Sequence, residues 1–273
     1  MMMPDRAMED TLSEPFDILE ISRTGHGIIL QPAKKQVIAE ISLKILINND
    51  EYASLLCLDQ CQEDLAVGFL YSEGVIDSYN DIESISYNER LIAVIIKLRD
   101  NVCISRQESL RSVTSGCGRC FTYINPLKQD KYKIIKSNHS YPIGKILDIM
   151  SAFIQQSELY KDIGGVHSVL YYSDDFSVLN EDIGRHNCVD KITGILMKKG
   201  KLAQIADGIM FISGRVSSEI MTKIIRMGIP VLVSRSTPTA AAVKLAEKYN
   251  VTLLGYVRGG SGYIYTCPGR MTV

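Results

Sequence analysis

The stretch from Gly208 to Ser234, GIMFISGRVSSEIMTKIIRMGIPVLVS, carries the clearest signal of the fold class. It opens with the wholly apolar segment 209–212, and a second apolar segment follows at 231–233. Between them, residues 217–227 have the spacing of an amphipathic helix. Short apolar strands separated by a helix are typical of a mainly parallel sheet that is buried on both faces. We therefore predict an α/β unit around this stretch.

The same alternation continues on both sides of this stretch. Upstream, an amphipathic pattern predicts a helix over 142–159, and two segments at 168–173 and 176–179 predict a hairpin that turns at Asp174 and Asp175. The elements expected after the hairpin are helix 185–199, strand 208–212, helix 217–227, strand 230–234, helix 238–249, strand 251–257 and strand 262–266. The C-terminal half is thus predicted to be a three-layer α/β domain with its sheet between helices.

Capping residues mark the expected ends of these helices. Thr237 followed by Pro238 predicts a helix N-cap with proline at the first helical position. Gly228 and Asn250 occupy positions that are typical of helix C-caps.

The N-terminal half has a different pattern. Alternating or apolar segments predict strands at 16–23, 37–48, 52–58, 82–87 and 91–98. One helix is expected among them, over 62–71, and Gly74 is expected to end it. This half is therefore predicted to be a mixed, mostly antiparallel α+β unit.

A chain of 273 residues is long enough for about two domains. A long polar loop over 100–120 and a charged linker over 128–138 separate the two patterns. We predict that the α+β domain spans 1–138 and that the α/β domain spans 139–273.

The composition excludes several classes of protein. Thirty lysines and arginines against 31 aspartates and glutamates give a net charge of -1, whereas a protein that coats nucleic acid needs excess cations. No apolar run approaches the ~20 residues of a membrane span, and residues 1–6 do not resemble a secretory leader. We therefore expect a cytoplasmic protein that binds neither nucleic acid nor membrane, and its seven cysteines are expected to be reduced.

One CxxC motif, Cys117-Gly118-Arg119-Cys120, lies at the end of the polar loop. Four interpretations stay open: half of a zinc site, a thioredoxin-type redox pair, a sulfur carrier, or two unrelated thiols. Zinc needs four ligands, and the nearest second pair, Cys57 and Cys61, is spaced differently. A redox pair would open a helix, which residues 121–126 do not predict. A carrier needs an accessible thiolate, which Arg119 favours.

Small and basic residues follow the predicted strands of the second domain. They are Arg185, His186, Ser213, Gly214, Arg215, Arg235, Arg258, Gly259, Gly260 and Ser261. In an open α/β sheet, ligands bind outside the carboxyl ends of the strands, and arginines hold phosphates through two hydrogen bonds. Helices expected after Gly214 and Ser236 would add free N–H groups. We predict a pocket for a phosphorylated, nucleotide-like ligand, and the alternative for each arginine is a solvated loop charge.

Two histidines border this predicted pocket. His186 opens a helix within reach of Glu181 or Asp182, which suits ligand contact or acid–base chemistry. The alternative is that His186 caps the helix. We expect His167, at the start of the hairpin, to face the same pocket.

Seven segments, taken in order, form a recognisable set. They are 64–74 (DLAVGFLYSEG), 117–120 (CGRC), 164–167 (GGVH), 181–191 (EDIGRHNCVDK), 213–215 (SGR), 228–233 (GIPVLV) and 257–259 (VRG). Together they resemble the formate dehydrogenase accessory sulfurtransferase family (FdhD), over nearly the whole chain from residue 16 onward. Phe121 departs from the family pattern, which often has glycine there.

The resemblance implies a function. Members of this family take sulfur from a cysteine desulfurase and deliver it to the bis(molybdopterin guanine dinucleotide) form of the molybdenum cofactor, which then enters formate dehydrogenase. The resemblance implies that Cys117 carries the persulfide and that Cys120 is its partner or relay. It also places the guanine-nucleotide end of the cofactor at the strand ends. The best matched binding residues are Tyr256, Val257, Arg258, Gly259, Gly260 and Ser261, beside Arg185, His186, Gly214 and Arg215.

The resemblance further implies a homodimer and a second domain similar to the cytidine deaminase fold. That half lacks the zinc motif of the deaminases, so no structural metal is expected. Two other functions stay open: a cofactor-binding chaperone without sulfur chemistry, and a zinc-dependent nucleotide hydrolase.

Overall fold

The computed structural model describes residues 12–25, 27–100, 102, 112–113 and 132–273. The strands are β1 (Ser13–Thr24), β2 (Gly27–Ile38), β3 (Ile41–Ile47), β4 (Asp50–Cys57), β5 (Ile82–Asn88), β6 (Ala93–Leu98), β7 (Ser112–Val113), β8 (Tyr141–Pro142), β9 (His167–Tyr172), β10 (Ser177–Asp182), β11 (Ile209–Ile212), β12 (Val231–Ser234), β13 (Thr252–Arg258), β14 (Ser261–Thr266) and β15 (Met271–Thr272). The α-helices are α1 (Gln62–Glu73), α2 (Ile143–Gln156), α3 (Glu158–Asp162), α4 (Arg185–Lys198), α5 (Ser218–Met227) and α6 (Ala240–Lys248). Among these described helices, none is both long and apolar enough to span a membrane.

A six-stranded sheet organises the C-terminal half, in the order β10-β9-β11-β12-β13-β14. Only its centre is parallel, because β11 pairs with β12 and β12 with β13 in parallel, while the other neighbours are antiparallel. Ile209 and Phe211 share a core cluster with Phe153 of α2, whereas Met210 and Ile212 belong to the cluster that contains α4 and α5. Alternate residues of β11 therefore pack on opposite layers of helices, which confirms a sheet covered on both faces.

A five-stranded sheet forms the N-terminal half, in the order β5-β6-β3-β4-β7. The prediction of one strand over 37–48 was wrong, because β2 ends at Ile38 and β3 begins at Ile41. At the break, the Ala39 N–H donates to the carbonyl of Leu12, which closes the β1–β2 ribbon before the chain enters the sheet. The alternation of side chains continues through this break, so periodicity alone does not reveal it.

Helices α1 and α4 join the two sheets. A Cβ on Gly68 would lie 1.8 Å from the carbonyl oxygen of Asp190, and one on Gly194 would lie 1.9 Å from that of Asp64. The two backbones thus touch where glycine provides the space. One core cluster includes residues of both halves, among them Leu43, Leu65, Val189 and Ile220. The boundary between 1–138 and 139–273 stays a prediction.

The described end of the predicted linker is packed rather than free. The Ile135 N–H donates to the carbonyl of Tyr249 at 3.0 Å, and the Asn250 side chain donates to the carbonyl of Ile135 at 2.9 Å. Tyr132 meets Tyr249 edge to face, with 6.0 Å between the ring centroids. Segment 132–138 therefore lies against the C-terminal half.

Three of the four predicted helix boundaries hold, one of them Gly74 at the end of α1. Gly228 and Asn250 have the left-handed conformation expected after a helix, with φ of 82° and 59°. The predicted N-cap at Thr237 was wrong, because α6 begins at Ala240 and Thr239 caps it by accepting from the Ala242 N–H. Pro238 instead forms a parallel bridge with Val216, which keeps the loop extended.

Candidate functional site

The carboxyl ends of β11, β12 and β13 lie side by side at one edge of the six-stranded sheet. Backbone hydrogen bonds tie the loops together: the Arg235 N–H donates to the carbonyl of Ile212, and the Tyr256 N–H donates to that of Ser236. Because β9 and β10 form an antiparallel hairpin in which His167 faces Asp182, the start of β9 and the end of β10 share this edge. We call it the strand-end site, defined by His167, Arg185, His186, Gly214, Arg215, Arg235, Tyr256 and Arg258.

Gly214 brings two of these side chains to the end of β11. A Cβ at this position would lie 3.1 Å from Nδ1 of His167 and 3.5 Å from Cδ of Arg185. A larger residue would push both away. The structure therefore places His167, Arg185 and Gly214 together, as the sequence predicted. Burial and the nearby Arg185 charge lower the pKa of His167 below its usual range, so its imidazole favours the neutral form.

His186 pairs with a residue that the sequence did not single out. Its Nε2 lies 3.1 Å from Oε2 of Glu219, in the first turn of α5. The prediction that Glu181 or Asp182 would be its partner was wrong, because both carboxylates are engaged elsewhere. Burial lowers the pKa of His186, although Glu219 opposes this shift, and contact with His186 lowers the pKa of Glu219. An acid in a first helical turn is common, so no sequence signal marked Glu219.

Two buried nitrogen atoms of the strand-end site lack regular hydrogen bonds. Arg185 Nε and His186 Nε2 are inaccessible to solvent, and within the described ranges neither has a hydrogen-bond partner of good geometry. His186 Nε2 does lie within ion-pair distance of Glu219, 3.1 Å from its Oε2. Buried donors usually have acceptors, so the incomplete hydrogen bonding of these two nitrogens is unusual.

Arg235 and Arg258 organise the opposite side of the site. Nη1 of Arg235 donates to the hydroxyl of Tyr160 at 2.7 Å, and Nε of Arg258 donates to the carbonyl of Arg235 at 2.8 Å. The Arg258 guanidinium also lies over the ring of Tyr256, 4.5 Å from its centroid. Neither arginine is simply a solvated loop charge. Arg215, by contrast, is exposed. All four predicted arginines lie at this edge, but their surroundings differ.

Tyr160 was missed because it lies in the short helix α3. The Glu181 carboxylate accepts from the N–H groups of Leu159 and Tyr160, at 3.1 and 3.2 Å, and from the Ser168 hydroxyl at 3.0 Å. Glu181 thus fixes the segment whose tyrosine holds Arg235. In the sequence, Tyr160 is a single tyrosine just after the predicted helix 142–159, and nothing there predicts this role.

Segment 256–261 turns between β13 and β14. Gly259 and Gly260 have φ of 54° and 80°, which favours glycine, and the Ser261 hydroxyl donates to the carbonyl of Arg258. Tyr256, Arg258 and the turn are exposed, but Val257 is 2% exposed and packs in the core. The side chain of Val257 therefore serves packing rather than ligand contact.

The two helices predicted to follow Gly214 and Ser236 begin later in the chain than expected. Helix α5 begins at Ser218, and Ser217 caps it by accepting from the Ile220 N–H; Thr239 caps α6 in the same way. These caps already satisfy part of the free N–H groups that were predicted after Gly214 and Ser236. The arginines and histidines therefore remain the main candidates for contact with an anion at this edge.

Cys117 and Cys120 lie outside the described residues. Of the thiols in the described part of the chain, Cys57 and Cys188 are buried; burial raises the pKa of Cys57 to about 12 and raises that of Cys188 as well. A raised thiol pKa disfavours the reactive thiolate at both positions. Cys61 and Cys267 are half-buried. Over the described ranges, no cluster of three or more His, Cys, Asp or Glu is placed to hold a metal ion.

Comparison with known proteins gives consistent matches. The profile of the FdhD/NarQ family matches residues 38–272. The sulfur carrier protein FdhD of Bacillus subtilis (strain 168) is 31% identical over 246 residues, covering 89% of this chain and 92% of that protein. The sulfur carrier protein FdhD of Bacillus pumilus (strain SAFR-032) is 33% identical over 243 residues, covering 87% and 90%.

A solved structure has the same fold. The crystal structure of a formate dehydrogenase accessory protein from Desulfotalea psychrophila superimposes with a TM-score of 0.75 at 22% identity, covering 96% of this chain and 100% of that one. At this identity the likeness shows the fold, a mixed α/β arrangement with several sheets. The profile covers most of the chain, and the relatives match it above 30% identity over most of their own length. The chain therefore belongs to the FdhD/NarQ family.

Proposed function

We propose that this protein is a sulfur carrier that serves the maturation of formate dehydrogenase. In its finer form, it is a sulfurtransferase that takes sulfane sulfur from a cysteine desulfurase as a Cys117 persulfide. It then delivers the sulfur to the bis(molybdopterin guanine dinucleotide) cofactor, with Cys120 as partner or relay. The names of the relatives support the coarse role. The geometry of the strand-end site supports a guanine-nucleotide-containing substrate.

The observation that carries the ligand proposal is the pair of buried, unsatisfied nitrogens of Arg185 and His186. Within the described ranges Arg185 Nε has no acceptor and His186 Nε2 has only its close contact with Glu219, and a phosphate oxygen of a dinucleotide would supply a further acceptor. On the other side of the site, the exposed stack of the Arg258 guanidinium on the ring of Tyr256 suits contact with a purine ring. The residues present therefore fit a nucleotide, which would be bound as substrate rather than as a resident cofactor.

The sulfur step balances without an added oxidant. The Cys117 thiolate attacks the outer sulfur of the donor persulfide, the S–S bond of the donor breaks, and the donor cysteine leaves as a thiolate. The product is a persulfide on Cys117, which holds a neutral sulfur atom. The thiolate is the attacking form of such a thiol, and Arg119 within the motif favours it.

Site-resolved mass spectrometry tests the carrier role. The full chain is incubated with a cysteine desulfurase and cysteine, and persulfides are mapped to peptides. We expect one added sulfur on the peptide that contains Cys117, lost in Cys117→Ala and altered in Cys120→Ala. Cys267→Ala is the control, because this half-buried thiol has no role in the proposal and its loss should leave the label unchanged. A Cys117→Ala/Cys120→Ala variant that still activates formate dehydrogenase in cells would refute sulfur transfer by this pair.

That last outcome would favour the second candidate, a cofactor-binding chaperone without sulfur chemistry. The observation in its favour is that the described residues His167, Arg185, Gly214, Arg235 and Arg258 meet at one sheet edge. The chaperone predicts that Arg258→Ala abolishes activation while the double cysteine variant retains it. We further propose a cytoplasmic homodimer whose second domain resembles the cytidine deaminase fold.

A further inference from the structure

The ribbon formed by β1 and β2 is the least covered part of the described chain. The strands pair over their whole length, from Ser13 with Ile38 to Thr24 with Gly27, and form a two-stranded sheet of their own. Twelve extended residues make the ribbon about 40 Å long. Almost all of its side chains are exposed. Because an isolated hairpin of this kind is marginally stable in water, we expect another protein surface to pack on the ribbon.

Both faces of the ribbon carry large apolar side chains. Cross-strand partners share a face, and alternate residues face opposite ways. On one face, Leu19, Ile21, Ile28 and Leu30 are 58–72% exposed. On the other, the residues are Phe16, Ile18, Ile29 and Val37, which are 37–49% exposed. A single flat contact with the rest of the chain would cover one face and leave the other in water, so the ribbon needs two covering surfaces.

The size and the charge of the ribbon fit a second copy of itself. The eight side chains expose on the order of 800 Å² of surface, which is what each partner contributes to a standard stable interface. Its charges balance, with Glu14, Asp17 and Glu20 against Arg23, Lys34 and Lys35. A neutral ribbon does not repel its own copy.

The order of residues along the strand adds directional complementarity. Asp17, Leu19, Ile21 and Arg23 all lie on the face with the more exposed apolar residues. When two ribbons pack antiparallel about an axis between Leu19 and Ile21, apolar residues meet at the centre and Arg23 lies opposite the copy's Asp17. An isologous contact must be complementary to itself, and this spacing meets that condition.

We propose that the β1–β2 ribbon is a dimerisation arm whose occupant is a second copy of this chain. One face packs antiparallel on the arm of the second copy, and the other face lies on that copy's body. The inference names the surface behind the homodimer of the proposed function, and it is independent of the sulfur chemistry.

Sedimentation of the full chain at micromolar concentration tests the arm. We expect the wild type to have the mass of two chains, and the cross-strand double variant Ile21→Glu/Leu30→Glu to weaken dimerisation at least about 100-fold. The control is Leu91→Glu, which adds a charge at a leucine that is as exposed as Leu30 but lies outside the arm, and it should leave the dimer intact. A monomeric wild type, or a dimer that survives the double charge, would overturn the proposal.

A crosslinking experiment tests the contact without adding charges that could unfold the arm itself. In Leu19→Cys/Ile21→Cys, mild oxidation should join two chains through the engineered thiols, and the wild type with its native cysteines is the control. If oxidation joins no chains beyond the wild-type level, the antiparallel packing is wrong. Sulfur labelling at Cys117 is also measured on the Ile21→Glu/Leu30→Glu variant. Failure of the arm and failure of the sulfur carrier are therefore seen separately.

Discussion

Two regions of the molecule use the same eleven-residue segment, 181–191, in opposite ways. In the interior, its charges are paired: Lys191 lies 2.7 Å from Asp182, both fully buried, and Lys223 lies 2.5 Å from Asp190. At the strand-end site, Arg185 and His186 from the same segment keep buried nitrogens without regular hydrogen bonds to described residues.

The difference follows from the position of each residue on α4. Asn187, Asp190 and Lys191 are three and four residues apart, so they share the helix face that turns toward α1 and the core. Asp182 also accepts from the Leu58 N–H of the N-terminal half, at 3.2 Å. Arg185 and His186 begin the helix at the sheet edge. The paired buried charges therefore stabilise the fold here, whereas Arg185 and His186 are the residues that we propose for ligand binding.

Breaking an interior pair should give the largest effect. Lys191→Met leaves the Asp182 carboxylate buried without its cation, so we expect a loss of about 4 kcal/mol in the free energy of unfolding. Urea denaturation measures it. Lys198→Met, which removes a half-exposed partner of Glu63, is the control and should cost less than about 1 kcal/mol. Equal losses in the two variants would show that the interior pair has no special role.

The contact of α1 with α4 should come next. Gly68→Ala places a Cβ against the carbonyl of Asp190, and the helices must separate, at a cost of about 3 kcal/mol. Thermal and urea unfolding measure the change. Gly144→Ala is the control within α2, where no described atom lies within 4 Å of the added Cβ, and it should stabilise by up to about 1 kcal/mol. A stable Gly68→Ala protein would contradict the close backbone contact.

A substitution in the strand-end site should reduce ligand affinity and leave stability almost unchanged. We expect Arg185→Gln to weaken binding of guanosine diphosphate about tenfold, or about 1.4 kcal/mol, because it removes a phosphate contact. Its free energy of unfolding should hardly change, since Arg185 Nε has no partner among the described residues to lose. Titration calorimetry measures the affinity, and Arg90→Gln, at an exposed turn, is the matched control. Lost stability with unchanged affinity would assign Arg185 to the fold.

The smallest expected effect is a dependence of stability on pH. Burial lowers the pKa values of His167 and His186, so the unfolded chain binds more protons near the usual histidine pKa of 6.5. Their contribution is complete above that value and is lost as the pH falls through the lowered pKa values. Glu219 acts in the same direction, but only near its own usual value of 4.5.

Between about pH 7.5 and pH 5.5, the free energy of unfolding should fall by about 1 kcal/mol. His167→Gln should flatten this slope. An unchanged slope in this variant would mean that His167 titrates as it does in the unfolded chain.

Much of the fold could be predicted because short-range patterns in the sequence determine it. The apolar segments 209–212 and 231–233 are buried strands, α1 ends at Gly74, and the hairpin turns where Asp174 and Asp175 predicted. The break at Ala39 was not predictable, because the alternation of side chains runs on while the pairing partner changes. Long-range pairing, rather than periodicity, ends β2.

The sequence by itself determined the family, the order of helices and strands, and the gathering of small and basic residues at strand ends, since these depend on residues near one another in the chain. The tertiary structure alone decided which of them act together. It paired His186 with Glu219 rather than with Glu181 or Asp182, and it placed Tyr160 against Arg235. Such contacts join residues that are distant in sequence, and the packing of whole helices and sheets sets their distances.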